Sequence, residues 1–258
     1  MTEPRRLWTK DELVLALNLY LKLPFGKLHS GTKEIIYLAA LIGRTASSVA
    51  MRLNNFASVD PYHQQRGIKG LVGGTKQVEP IWEEFINNKE DLLYESEKIL
   101  AQLEMESIEN KYAETLKGIE HLKGEYKLRE VKTRVNQNVF RQIVIANYNS
   151  KCAITGIDIP DLLVASHIIP WSKNENERLN PENGICLSPL YDKVYDKGLI
   201  GISDDHKIKL SPSLKRESSK EYFDKHFGFL NSSVIQLPKK YLPKKEFLQY
   251  HMDIVFQK

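Results

Sequence analysis

The chain has 258 residues, of which 41% are hydrophobic and 27% charged, proportions that are ordinary for a globular protein. This length allows two modest domains. We expect a cytoplasmic protein without a membrane segment, because no apolar run approaches the roughly 18 residues of a membrane span and the N-terminus lacks a signal peptide's apolar stretch. Cys152 and Cys186 are too few for a disulfide framework or a four-cysteine zinc site, and both are predicted to be reduced and buried.

Charge is distributed unevenly along the chain. Residues 1–76 hold eleven Lys and Arg against five Asp and Glu, a balance of +6, whereas residues 77–134 sum to −5 and residues 135–258 to +3. The basic ends indicate contact with a polyanion, and the acidic middle is typical of a solvated spacer.

The first segment is predicted to be helical. Thr9 and Glu12 have the spacing of a capping box, which predicts that a helix begins there. Two further helices are predicted over Thr32–Gly43 and Thr45–Phe56, the first ending at its glycine and the second capped by its threonine. Two short helices joined in this way have the outline of a helix-turn-helix.

In a helix-turn-helix the second helix can lie in the major groove of DNA. The polar residues expected to be exposed there, and able to meet phosphates or base edges, are Arg44, Ser47, Ser48, Arg52 and Asn55. Helical hairpins with an intervening glycine are common, so a purely structural helical bundle is the alternative.

A glycine-rich basic loop follows over Arg66–Lys76. Glycines let backbone amides approach a phosphate closely, and Arg66 and Lys69 add positive charge. We therefore count both among the candidate DNA-binding residues. A flexible connection explains the same composition equally well.

The second segment, residues 87–134, is rich in Glu, Lys and Leu. Its apolar residues recur mostly at intervals of three to five, which predicts a long helix or a helical pair. Gly118 and Gly124 weaken its C-terminal part. The segment could self-associate as a coiled coil and so give a homodimer, although its heptads are irregular.

The third segment contains two short strands followed by a helix. A helix over Val135–Tyr148 precedes a strand over Leu162–Ile168 and a second strand over Ile185–Leu187. Ser188, followed by a proline, is predicted to cap a helix of about nine residues that ends at Gly198.

Two carboxylates on this last helix indicate a metal site. Asp192 and Asp196 are four residues apart and project from one helix face, where like charges repel unless a cation lies between them. Hard oxygen ligands favour Mg²⁺ or Mn²⁺. His167, at the end of the facing strand, could take a proton from water attacking phosphorus, and Asn183 could fix the ring's orientation.

This pattern resembles the HNH endonucleases, or ββα-metal nucleases, over about residues 134–210. It is most similar to the branch with an Ala/Ser-His-Ile-x-Pro-Trp strand and an Asn-Gly-x-x-Leu turn, found in many bacterial restriction-type proteins. The resemblance implies that His167 is the general base, Asn183 the loop-holding asparagine, and Asp192 and Asp196 the metal ligands. Ser166 departs from the Asp or His frequent at its position.

Two further departures bear on the metal. Asp192 replaces the helix histidine of many members, and the Cys-x-x-Cys pairs that bind zinc in other branches are absent, so no structural zinc is expected. Because a nuclease must cut two strands, a dimerising second segment would have an obvious use.

The sequence therefore predicts an α+β protein of three parts: a helical, helix-turn-helix-like DNA-binding domain (1–86), a long helical spacer (87–134) and a C-terminal HNH nuclease domain (135–258). The expected function is hydrolysis of double-stranded DNA in restriction or another defence. One alternative is a restriction nuclease that depends on base modification, such as methylation. The other is a non-catalytic DNA-binding regulator that keeps the HNH fold.

Overall fold

The computed structural model describes residues 6–24, 26–68, 70–71 and 73–258. Contacts divide the chain once, between Val139 and Phe140, into a first and a second unit. The three-part division with boundaries at 86 and 134 stays a prediction. The described residues form a mixed, helix-rich fold with two small antiparallel sheets.

The first unit is built from helices. In chain order they are α1 (Lys10–Lys22), α2 (Lys33–Leu41), α3 (Ala46–Val59), α4 (Pro61–Gln65), α5 (Thr75–Asn87), α6 (Lys89–Leu103), α7 (Ile108–Lys111) and α8 (Gly124–Asn147), within which the division between the units falls.

The capping box predicted at the start of α1 is confirmed. The Thr9 hydroxyl accepts a hydrogen bond from the Glu12 N–H at 3.3 Å, and the Glu12 carboxylate accepts one from the Thr9 N–H at 3.0 Å. These two bonds satisfy backbone donors that a helix start leaves without partners. The apolar face of α1 is buried, with Leu17 and Tyr20 almost fully inaccessible.

The predicted hairpin of α2 and α3 is also present. Gly43 adopts a φ of +64° after α2, a conformation that favours glycine. The Thr45 hydroxyl then caps α3 by accepting a hydrogen bond from the Ser48 N–H at 3.1 Å. No single described helix is long and apolar enough to cross a membrane, and only α2 and α3 taken together, bent by 109°, meet that length and composition.

The acidic second segment is not a continuous helix. α6 packs against α1 and α5 and buries Leu92 and Leu93, because its apolar stripe fits the helices of the first unit. The chain is then irregular up to Gly124, apart from α7. α6 therefore packs within the first unit, while the role of the segment as a spacer and its self-association stay predictions.

A buried carboxylate joins α6 to α1. Glu97 is 1% exposed and pairs with Lys22, while Asn18 donates to it at 2.6 Å and Tyr112 at 2.6 Å. Burial alone would raise the pKa of Glu97, but the Lys22 charge and the hydrogen bonds outweigh it and lower the pKa. The ionised carboxylate is therefore the form that the fold holds.

The second unit begins with the last turns of α8. Its further elements are β1 (Val164–His167), β2 (Gly184–Leu187), α9 (Pro189–Asp196), β3 (Ile200–Ile202), β4 (Ile208–Leu210), α10 (Pro212–Lys215), α11 (Glu221–His226) and α12 (Lys245–Tyr250). β1 pairs with β2 and β3 with β4, both antiparallel. The two predicted strands and the helix after them are thus confirmed, and the predicted helix at Val135 begins earlier, at Gly124.

Glycine and proline fix the ends of α9. Ser188 occupies the N-cap position and Pro189 the first turn, although the serine side chain makes no capping hydrogen bond. Gly198 has a φ of +65°, and a Cβ there would collide with the Val255 carbonyl. The helix therefore ends where a side chain would not fit.

We expect Glu97→Gln to destabilise the first unit at pH 7, because it leaves the half-buried Lys22 charge without its partner, a loss of up to about 3 to 5 kcal/mol, the range for a fully buried pair. The pKa of Glu97 lies below its ordinary value of 4.5. Its contribution is therefore fully present above about pH 4.5 and is lost as the pH falls through the folded-state pKa.

Urea denaturation of wild type and variant at pH 7 and pH 3.5 measures both effects. The wild type should lose more stability on acidification than Glu97→Gln. Glu114→Gln is the matched control, since the Glu114 side chain is 86% exposed in its ion pair with Lys117 and should change little. Equal stability of Glu97→Gln and wild type at pH 7 would contradict the assignment.

Candidate active site

The candidate active site lies on the β1–β2 pair and α9. His167, the last residue of β1, is opposite Gly184, the first residue of β2. A Cβ at Gly184 would collide with Val144 and lie 2.9 Å from the Phe140 ring. Glycine at this position therefore lets α8 pack directly against the strand pair beside His167.

The His167 ring is fixed on three sides. It stacks on Phe140 with ring centroids 3.9 Å apart and planes 14° apart, and the Trp171 ring meets it edge-on at 5.5 Å. Its Nε2 lies 3.0 Å from the Arg178 carbonyl oxygen. Burial lowers the pKa of His167, and the bond to the Arg178 carbonyl opposes that shift only in part. The ring is therefore neutral at pH 7.

The Arg178 contact also selects the tautomer. A carbonyl oxygen only accepts hydrogen bonds, so Nε2 of the neutral ring must carry the proton and donate it. The lone pair is then on Nδ1. A neutral imidazole in this form can act as a proton acceptor at that nitrogen.

Asn183 holds the loop between β1 and β2. Its Oδ1 accepts from the Ile169 N–H at 2.8 Å, and its Nδ2 donates to the carbonyls of Ile169 at 3.2 Å and Glu177 at 3.1 Å. The residue is 1% exposed. Asn183 therefore connects the two ends of the loop that carries Arg178, the partner of His167.

Asp192 and Asp196 lie on α9 as their spacing predicts. Burial raises the pKa of Asp192, against the effects of Ser166 and Lys193. Burial and then the charge of Asp192 raise the pKa of Asp196, against those of two nearby lysines. Each carboxylate is thus less stable in its charged form than in water, and the two repel each other.

The oxygens at this site suit a hard cation. Ser166 is 2% exposed, and its hydroxyl, close enough to Asp192 to affect the pKa of that residue, makes no hydrogen bond of ordinary geometry among the described residues. Two carboxylates that repel each other fit Mg²⁺ or Mn²⁺, which keep several waters and need few protein ligands. The described residues contain no group of three or more His, Cys, Asp or Glu arranged to hold a metal.

Comparison with known families settles what this segment is. A family model described as HNH endonuclease matches residues 152–203, the range that contains β1, β2 and α9. The match takes in His167, Asn183 and both aspartates. These residues form an HNH endonuclease segment. No curated protein sequence matches the chain.

The HNH segment brings its predicted residues onto adjacent elements. His167 ends β1, Asn183 immediately precedes β2, and both aspartates are on α9, which packs against the two strands. The segment thus has the strand, strand and helix order that the resemblance implies. Its two cysteines, Cys152 and Cys186, are free and buried, as predicted.

The predicted DNA-binding residues belong to the first unit and fall outside the range of the HNH match. Arg44 was predicted to be exposed, but its side chain is largely buried. Its side chain is 9% exposed and pairs with Glu12 at 2.7 Å. It also donates to the Leu7 carbonyl at 2.7 Å and lies over the Trp8 ring at 4.3 Å. The carboxylate of Glu12, which also belongs to the capping box of α1, attracts this guanidinium. No local sequence pattern indicates this contact.

The other predicted DNA-binding residues differ in exposure. Asn55 is 2% exposed and therefore not on the surface. Ser48 and Arg52 are half-buried, and Arg66 is exposed with its guanidinium over the Tyr62 ring at 5.2 Å. Lys69 lies outside the described residues.

Sequence reasoning missed the aromatic and backbone partners of His167. Trp171 stands in the motif that identified the histidine, so its position in the motif was a usable signal. Phe140, on α8, and the Arg178 carbonyl carry no such signal, since a stacking ring and a backbone oxygen are chosen by the fold. Arg178 is further held by donating to the Trp171 carbonyl at 2.7 Å.

We expect Asn183→Ala to lower both stability and cleavage. It removes two hydrogen bonds to buried backbone groups of Ile169 and one to the partly buried Glu177 carbonyl, and each buried group left without a partner costs about 1 to 3 kcal/mol. The loop then no longer holds the Arg178 carbonyl at His167. Thermal melting and plasmid cleavage measure the two effects, with Asn176→Ala, an exposed residue of the same loop, as the control. Unchanged melting of Asn183→Ala would contradict the role of the amide.

Proposed function

We propose that this protein is a metal-dependent endonuclease that hydrolyses double-stranded DNA in the cytoplasm, in restriction or another defence against foreign DNA. The observation that carries the proposal is the neutral His167 ring, held through Nε2 by the Arg178 carbonyl, on the strand pair that packs against the two-aspartate helix. The HNH match supports a nuclease.

In the proposed reaction, Nδ1 of His167 accepts a proton from the water that attacks phosphorus. The new bond joins the water oxygen to phosphorus, and the bond from phosphorus to the 3′ oxygen breaks. Asn183 acts only through the loop and touches no reacting atom. Mg²⁺ or Mn²⁺, held by the Asp192 and Asp196 carboxylates, would supply the positive charge that stabilises the scissile phosphate and the leaving oxygen.

The first unit is proposed to bind the DNA. Support comes from the 109° bend between α2 and α3, since helix-turn-helix pairs cross at about 90 to 120° over a turn of roughly three to four residues. The balance of +6 over residues 1–76 suits phosphate contacts. The proposed DNA contacts remain Ser48, Arg52, Arg66 and Lys69. Arg44 is proposed to act indirectly, by its contacts to Glu12 and the Trp8 ring.

A non-catalytic DNA-binding regulator is the second candidate. It is favoured by Ser166, which offers a hydroxyl where many HNH proteins have a stronger ligand. Metal-dependent nicking of supercoiled plasmid separates the nuclease from the regulator. Comparing methylated with unmethylated plasmid then separates a restriction nuclease from one that depends on base modification.

We expect His167→Ala to abolish plasmid cleavage while folding and DNA binding persist. The proton acceptor is lost together with the ring's contacts to Phe140 and the Arg178 carbonyl, so thermal melting checks folding. Removing a positioned general base reduces the rate by about 10²- to 10⁴-fold. Initial rates of nicking at saturating Mg²⁺ measure the effect. The control is His206→Ala, in the β3–β4 turn. Cleavage by His167→Ala within about threefold of wild type, well short of the loss of a general base, would reject the assignment.

We expect Asp192→Asn and Asp196→Asn to weaken metal binding and to raise the Mg²⁺ concentration needed for activity. Each change removes one anionic ligand from a site with few others. Each also removes a repulsion between like charges, so the metal-free variants should melt at the wild-type temperature or above it.

Calorimetric titration with Mn²⁺ and thermal melting without metal measure the two effects. Asp205→Asn, an exposed residue of the β3–β4 turn, is the matched control and should leave metal affinity unchanged. If both α9 variants bind Mn²⁺ as the wild type does, the metal site is elsewhere.

A further inference from the structure

A cavity of about 590 Å³ opens in the first unit between the residues before α1, α3 and the loop before α5. The residues of its wall that bear on binding are Trp8, Arg44, Arg52, Asn55 and Gly74. Sites for small organic ligands are commonly about 300 to 1,000 Å³. The cavity is therefore large enough for more than one phosphate group.

The cavity holds a positive charge that the described protein does not neutralise. Arg44 has Glu12 as its partner, but Arg52 bonds only to the Gly74 carbonyl, at 3.2 Å, and to no carboxylate of a described residue. Burial and the charge of Arg44 both lower the pKa of Arg52. The Nε atoms of both arginines are buried and have no hydrogen-bond partner among the described residues. An anion in the cavity would supply the counter-charge that Arg52 lacks among the described residues.

An aromatic platform lies beside this charge. The Trp8 ring is half-buried, with the guanidinium carbons of Arg44 and Arg52 at 4.3 and 5.0 Å from its centroid. Indole rings and guanidinium planes are the surfaces on which proteins stack nucleobases. The cavity therefore combines a site for an anion with a site for a flat ring.

Hydrogen bonds connect the wall of the cavity to α3 beside Arg52. Asn55 donates to the carbonyls of Leu71 at 2.5 Å and Gly73 at 3.0 Å, which holds these two residues against α3. Gly74 has a φ of +113°, and a Cβ there would lie 3.2 Å from Nη1 of Arg52 and 3.0 Å from Oδ1 of Asn55. Only glycine lets the backbone hold this guanidinium in place.

We propose that this cavity binds one nucleoside monophosphate unit, with its phosphate on Arg52 and its base on the stack formed by Trp8 and Arg44. The ligand is either a free nucleotide or one nucleotide of a DNA strand that leaves the base stack. Only the second source rests on the proposed action on DNA. The site adds recognition of a single nucleotide to the phosphate contacts expected of α3.

The test follows the Trp8 indole N–H resonance of the full-length, ¹⁵N-labelled protein in metal-free buffer, where no cleavage occurs. Deoxynucleoside 5′-monophosphates are titrated in, and the indole signals of Trp82 and Trp171 serve as internal controls. We expect a saturable shift of the Trp8 signal alone. Inorganic phosphate and unphosphorylated deoxynucleosides should each bind about tenfold or more weakly, since each lacks one of the two contacts.

Variants link the shift to the cavity. Arg52→Gln should weaken binding about tenfold or more, a loss typical of a charge-assisted contact. Gly74→Ala should weaken it as well by displacing that guanidinium. Arg129→Gln, which changes an exposed arginine of the first unit outside the cavity, is the matched control and should bind as wild type. Thermal melting identifies any variant that does not fold.

Competition with DNA distinguishes the two sources. A short duplex that displaces the nucleotide from Trp8 identifies a strand as the ligand, and retention of the nucleotide identifies a free nucleotide. The proposal is overturned if inorganic phosphate binds as tightly as the nucleotide, if Arg52→Gln binds like wild type, or if the Trp8 signal does not move. None of these outcomes affects the cleavage test at His167, so failure here is distinct from failure of the nuclease assignment.

Discussion

The position of His167 depends on the hydrogen bonds of one buried amide. Asn183 bonds to Ile169 and Glu177 and so closes the loop. The Arg178 carbonyl of this loop accepts the hydrogen bond from Nε2 of His167. The loop is otherwise polar and irregular, and such segments keep one conformation only when their backbone groups are satisfied. Once the loop is closed, the tautomer follows, because a carbonyl accepts only from a protonated nitrogen. Burial then keeps the ring neutral at pH 7.

α9, which packs against the strand pair, carries charged groups where the strand carries a neutral one. Burial raises the pKa values of Asp192 and Asp196, and the charge of Asp192 raises that of Asp196 further, so the folded chain holds two carboxylates in an unfavourable charge state. Such unfavourable electrostatics are typical of functional sites rather than of stable cores. The neutral histidine is suited to accept a proton, and the two carboxylates are suited to attract a cation. Both properties follow from burial around one short ββα unit.

Local signals in the sequence predicted the elements, and long-range contacts accounted for what was missed. The capping box at Thr9, the cap at Thr45 and the aspartate spacing on α9 depend on neighbours within about four residues, so the sequence contains them directly. The burial of Arg44 depends on Glu12, 32 residues away, and the docking of α6 depends on α1. Residue type alone therefore predicted the wrong exposure for Arg44.

The central claim is that His167 is neutral with its proton on Nε2. Long-range ¹H–¹⁵N NMR of histidine-labelled protein reports both, and loss of one ring signal set in His167→Gln assigns the residue. The account predicts, at pH 7, a protonated Nε2, an unprotonated Nδ1, and a titration midpoint below the ordinary value of 6.5. A proton on Nδ1 alone, or an imidazolium at pH 7, would contradict it.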